Sequence, residues 1–220
     1  MDIIKTLIDF ILHIDTHLQY WVNDYQSWTY FILFMIIFCE TGLVVTPFLP
    51  GDSLLFAAGT IAAMDGHPLN VLFLIPLLII SAFTGDNTNY FIGRLLGQTV
   101  YEKNYRLIRR EYLDKTHKFY EKHGGKTLII ARFMPIIRTF APFVAGVGTM
   151  KYFRFLTFSA AGNLLWVTSF TFAGYFFGNI PMIKKNFTIA IFGIILISLL
   201  PMIIAFIRNM TSNKTKSKSS

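Results

Sequence analysis

Ala131-Arg132-Phe133-Met134-Pro135-Ile136-Ile137-Arg138 lies inside an otherwise apolar segment that runs from Thr127 to Met150 and also holds Pro142. Such a segment does not read as a plain spanning helix. A proline inside a helix removes a donor and clashes with the preceding turn, and ionisable groups at membrane depth are costly and usually functional. Arg132 and Arg138 are six residues apart. On an unbroken helix, at about 100° per residue, they would point about 240° apart and could not share a ligand. A break at Pro135, with a half-helix starting near Pro142, lets both line one cavity. Its positive dipole end would then add to an anion site if it faces that cavity.

Working outward, the stretch from Trp28 to Met64 has the same character. An apolar run is followed by Glu40, then by Thr46-Pro47-Phe48-Leu49-Pro50-Gly51-Asp52, then by small apolar residues to Ala63. Non-helical backbone at membrane depth is tolerated only when it is buried in protein or faces a wet cavity. Segments 28–64 and 127–150 therefore read as re-entrant hairpins, broken at Pro47, Pro50 and Gly51 in the first and at Pro135 and Pro142 in the second.

The remaining apolar runs read as plain spans, since about 20 such residues cross a bilayer. Residues 187–207 and 155–178 carry no charge, and residues 68–93 carry only Asp86. Residues 1–27 place Ile4, Leu7, Ile8, Ile11, Leu12, Ile14 and Leu18 on one stripe and read as an interfacial amphipathic helix. Tyr90-Phe91-Ile92-Gly93 echoes Tyr175-Phe176-Phe177-Gly178 at an offset of 85, the offset that also separates Pro50 from Pro135. The predicted fold is an all-α integral membrane protein. It has two opposed re-entrant hairpins in an inverted-repeat arrangement, about three full spans and the N-terminal amphipathic helix. The domains are an N-terminal segment (1–27), a transport domain (28–180), a C-terminal transmembrane helix (187–207) and a basic tail (208–220).

Composition agrees. Of the 220 residues 54% are hydrophobic and 15% charged, against about 25% charged in soluble domains. The net charge of +8 does not call for a nucleic-acid partner. Nine of the basic residues lie between Arg94 and Lys126 and others in the tail, which marks both regions as cytoplasmic. Lys184 and Lys185 fit this topology poorly, because they fall on the outer side. Cys39 is the only cysteine, so a disulfide within the chain and a cysteine-rich metal site are excluded. No metal, cofactor or catalytic residue is expected. None of the five histidines lies in either hairpin, which argues against a histidine-dependent phosphatase.

Arginine stays charged and grips phosphate with a planar fork, so Arg132 and Arg138 are the candidate phosphate-binding pair. Glu40 and Asp52 either pair with those arginines or exchange protons, and Asp52 also suits a helix N-cap. Asp86, placed near a helix end, is a further candidate. Asn163 and Trp166 read as packing or interface residues, with substrate contact the lesser alternative.

Taken together, Glu40, Pro47-Phe48-Leu49-Pro50-Gly51-Asp52, Gly85-Asp86 with Tyr90 and Gly93-Arg94, and the Ala131–Arg138 stretch continuing to Pro142, Ala145 and Gly146 resemble the DedA (VTT-domain) family of membrane proteins. The resemblance covers roughly residues 30–180. It implies two opposed re-entrant hairpins and lipid movement between leaflets, linked to the proton gradient or membrane potential. The implied substrates are undecaprenyl phosphate or a phospholipid such as phosphatidylethanolamine, and the implied essential positions are Glu40, Asp52, Arg132 and Arg138. The implied setting is a bacterial plasma membrane. A proton-coupled small-solute transporter is the alternative, and a homo-oligomer is left open.

Overall fold

The computed structural model describes residues 27–43, 51–64, 69–103, 124–148 and 150–177, with Ile180. The expected amphipathic segment before these, Pro47 and Pro50, the centre of the basic stretch, the 187–207 helix and the tail lie outside the described residues. Everything described is helix, turn or short connection. The helices are α1 (Trp28–Gly42), α2 (Gly51–Ala62), α3 (Val71–Lys103), α4 (Lys126–Ala131), α5 (Pro135–Val147) and α6 (Tyr152–Phe177). Two are long and apolar enough to cross a bilayer: Val71–Leu96 within α3, with a mean hydropathy of 1.6, and α6, with 1.2.

Contacts give the helix directions. Tyr90 stacks on Phe155 at 4.4 Å, while Asp86 accepts from Ser159 and Asn163. Positions rise along α6 as they fall along α3, so the two long helices are antiparallel. On α3, Tyr30, Phe34 and Thr41 of α1 meet Asn70, Ser81 and Asn89 in the same order. Thr139 and Phe143 of α5 meet Asn89 and Gly93 likewise. Both α1 and α5 therefore run parallel to α3. On α6, Asp52 and Thr60 of α2 meet Trp166 and Gly174, and Gly125 and Ile129, at the start of α4 and within it, meet Phe158 and Gly162. These helices are parallel to α6.

The described helices thus form two interlocked sets of three parallel helices: α1, α3 and α5 in one, α2, α4 and α6 in the other. Each pair α1–α2 and α4–α5 is a chain reversal that crosses from one set to the other. The broadest packing is α3 on α1 and α5, and α6 on α2.

Two crossings depend on glycine. Phe56-Ala57-Ala58-Gly59 of α2 lies on α6 so closely that a Cβ at Gly174 would meet the Phe56 carbonyl and one at Gly59 the Thr171 carbonyl. Phe143-Val144-Ala145-Gly146 of α5 lies on α3 in the same way, with Gly93 under the Phe143 carbonyl and Gly146 over that of Tyr90. Two apolar clusters flank the middle. One joins Leu33, Leu55, Leu74 and Trp166, the other Tyr90, Leu128, Ala145 and Phe155. On α3 the first ends at Ala82 and the second begins at Tyr90, with buried Asp86 and Asn89 between them.

The structure departs from the sequence reading at two places in these elements. Pro142 does not start a helix; it lies inside α5, which begins at Pro135. The glycine crossing on α3 holds α5 together across the proline, as neighbouring helices in apolar surroundings often do. Asp86 is not near a helix end, because α3 continues to Lys103.

Gly174→Ala and Gly93→Ala should each lower stability by about 1–3 kcal/mol, as over-packing typically does. Gly162→Ala should cost less, since the nearest atom a Cβ would meet is the Arg132 Cγ at 3.2 Å, on a side chain that can shift. Thermal unfolding of the purified variants in detergent checks the order.

Candidate functional site

The charged residues singled out in the sequence converge where the two helix sets meet. Glu40 lies in the last turn of α1, and Asp52 in the first turn of α2. Arg132 caps the end of α4, and Arg138 lies in the first turn of α5 beyond the bend at 132–134. Pro135 occupies the first helical position of α5, where its missing N–H costs nothing. Both chain reversals therefore bring their tips to one place.

Arg138 is the hub. Its Nη1 donates to Asp52 Oδ1 and its Nη2 to Glu40 Oε1, so one guanidinium clamps both ends of the first reversal. All three residues are buried, Arg138 to 4% exposure and Glu40 to 1%. The Glu40 carboxylate occupies the space a Cβ at residue 51 would need, which explains glycine at that position. Arg132 instead pairs with Asp86, whose Oδ2 also accepts from Ser159 Oγ at 2.5 Å and Asn163 Nδ2 at 3.0 Å. The arginines thus take different acids.

Trp166 links the two groups. Its indole N–H donates to Asp52 at 2.8 Å. Its ring lies 4.9 Å from the Arg138 guanidinium carbon and 5.9 Å from that of Arg132, within the range of cation–π attraction. Asn89 braces the tips by donating to the carbonyls of Thr41 and Thr139 at 3.0 and 2.7 Å.

Two features bear on chemistry. Three buried carboxylates face two buried guanidinium ions, a formal balance of −1. Moreover, Arg132 Nη1 and Arg138 Nε are buried without a hydrogen-bond partner, and such donors are rare enough to need a reason. Asp86, Arg132, Arg138, Ala141, Pro142 and Ser159 line a narrow recess that is too tight in this conformation to admit even a water molecule. Among the described residues no cluster of histidine, cysteine and acidic side chains could hold a metal ion.

Residues 49–176 match the VTT domain. The chain belongs to the VTT-domain (DedA) family. It is 59% identical to Protein DedA of Escherichia coli K12, over 95% of this chain and 96% of that protein. An uncharacterised membrane protein of Mycobacterium tuberculosis is 42% identical over 80% of this chain and 78% of its own length. Inner membrane protein YqjA of E. coli K12 is 35% identical over 75% and 78%. No solved structure matches. The family assignment agrees with the helical, apolar architecture, and the chain is a membrane protein.

The sequence does not single out Ser159, and Asn163 and Trp166 read there first as packing residues, with substrate contact the lesser alternative. Their spacing of four and three residues keeps them on one face of α6, and polar side chains repeating so in an uncharged span were the available signal.

Arg138→Met alone should destabilise the protein by about 3–5 kcal/mol, because it strands two buried carboxylates. Adding Glu40→Gln and Asp52→Asn to it should recover most of that loss. Thermal unfolding in detergent without added ligand compares the single and triple variants.

Proposed function

We propose that this protein is a flippase that carries an anionic, phosphate-bearing lipid between the leaflets of a bacterial inner membrane, with undecaprenyl phosphate the first substrate to test. The observation that carries the reading is the pair of buried arginines at the meeting point of two chain reversals, each keeping one donor unused. A phosphate oxygen is the natural partner for such donors, because guanidinium forks match phosphate geometry.

On this reading both reversals are re-entrant. Helices α1, α2 and α5 have 15, 12 and 13 residues, and at about 1.5 Å per residue each falls short of the roughly 30 Å hydrocarbon core. The antiparallel long helices, the exchanged α2 and α5 and the paired glycine crossings support an inverted repeat, in which 28–103 and 126–177 are equivalent halves. Rocking one set of three helices against the other would expose the arginines to each side in turn, while the lipid tail stays in the bilayer. Two long spans, a third in 187–207 and a cytoplasmic C-terminus complete the proposed topology.

In the present conformation the carboxylates hold both arginines, leaving each one unpartnered donor, and the recess is closed. A lipid phosphate enters by displacing them. Burying further negative charge beside a cluster already at −1 is unfavourable unless protons accompany it. Glu40 and Asp52 are the groups proposed to take them up, which links transport to the proton gradient.

The test is reconstitution of the full chain in liposomes, following leaflet exposure of undecaprenyl phosphate with and without a proton gradient. Translocation should be protein-dependent, faster with the gradient, and at least about 100-fold slower in Arg132→Ala and Arg138→Ala, as loss of a charge-assisted contact of about 3 kcal/mol implies. Activity surviving both substitutions would sink the phosphate-gripping role. Activity on phosphatidylethanolamine alone, or on a soluble anion alone, would reassign the substrate class.

A further inference from the structure

Asp86 is buried to 0% exposure in mid-α3, and it is held more elaborately than a simple counter-ion requires. One of its oxygens accepts from Arg132, Ser159 and Asn163 together. Three donors on one anionic oxygen is the coordination a phosphate oxygen takes in a binding site. The second oxygen, Oδ1, is buried without a partner, as is the Nη1 of the arginine it holds. Asp86 and Arg132 also belong to opposite helix sets, so their contact ties α3 to the end of α4 across the seam. The same residues, with Arg138 and Pro142, line the closed recess.

We propose that Asp86 is a specificity-determining residue of the transport site, an internal anion that occupies the phosphate's place on Arg132 and must be displaced before lipid phosphate can bind there. This rests on the phosphate-binding reading above and deepens it. Ser159 and Asn163 are positioning residues in this scheme. They hold the Asp86 carboxylate when the site is empty and become available to the phosphate when Asp86 moves away. An anion that competes from inside the fold makes binding conditional: apparent affinity falls by the fraction of molecules in which Arg132 is free. Asp86 thereby excludes weakly bound anions and sets how readily the phosphate is released on the far side.

The experiment measures binding of dihexanoyl phosphatidic acid, and separately of inorganic phosphate, to the full chain in detergent by calorimetry. Asp86→Asn should bind the short-chain lipid about tenfold or more tightly than the wild type, since the competing charge is gone. The gain should vanish in Asp86→Asn with Arg132→Gln. In liposomes Asp86→Asn should lower KM and kcat together, a split that a merely structural role would not produce. Asn163→Ala keeps both charges but loosens Asp86, so it should shift affinity the same way by a smaller factor, and it carries the test if Asp86→Asn cannot be purified folded. Wild-type binding that depends on Arg138 but is unchanged or weakened by Asp86→Asn overturns this inference and leaves the phosphate-binding reading standing. No binding by any variant removes both. Equal gains for inorganic phosphate and the lipid would identify the phosphate alone as what Asp86 competes with; a gain for the lipid alone would place the acyl chains in the same recess.

Discussion

The bridge from Arg138 to Glu40 and Asp52 is the contact on which the rest of the arrangement depends. The first chain reversal is interrupted between α1 and α2, and its two acids would repel each other at the tip without a cation between them. That cation comes from the opposite reversal, at the start of α5. One guanidinium therefore fixes the first tip, joins it to the second, and, through Asp52 and Trp166, ties the α3 set of helices to the α6 set. Buried ion pairs of this kind are poor stabilisers, since apolar replacements of similar volume are often equally stable or more so. Their presence at a seam fits the proposed function, in which the contacts are made and broken.

The closest helix crossings lie within the sets. Within each set the helices run parallel and lie close, with glycine removing the side chain where α2 crosses α6 and α5 crosses α3. Between the sets, the described contacts in the middle of α3 and α6 are largely polar: Asp86, Ser159 and Asn163, with aromatic stacking of Tyr90 on Phe155 to one side. The seam between the sets is thus polar at its middle and apolar on either side, where each of the two clusters joins helices of both sets.

The interrupted helices were legible in the sequence because proline and charge inside apolar runs have few explanations. Glu40, Asp52, Arg132 and Arg138 were found on that ground, and they meet. Pairing of Glu40 and Asp52 with the arginines was one of the two readings, but which arginine takes which acid was not legible, because it depends on helix directions that place α5 beside α3 and α2 beside α6, far apart in the chain. Pro142 was misread for a related reason: local propensity argues for a helix start, while packing on α3 carries the helix through. Asp86 seemed marginal because its run of apolar residues ends soon after it, yet α3 continues well past that point. Trp166 looked like bulk for the core, and it is, but its indole N–H and ring face serve the charged groups as well.

On the proposed flippase reading, the imbalance of three acids to two arginines gives the closed recess a way to open. If the carboxylates matched the guanidinium ions one for one, an entering phosphate would have to break neutral pairs and leave buried acids with nothing in return. With one acid in excess, the empty site has a formal negative charge, which the interior disfavours. In the proposed mechanism a proton taken up there would remove that charge and weaken the acids' hold on the arginines at the same time, and the donors so released are the ones a phosphate would need. Under the proposed mechanism the excess carboxylate would make proton uptake and anion binding favour each other within a single cluster, with no separate relay required.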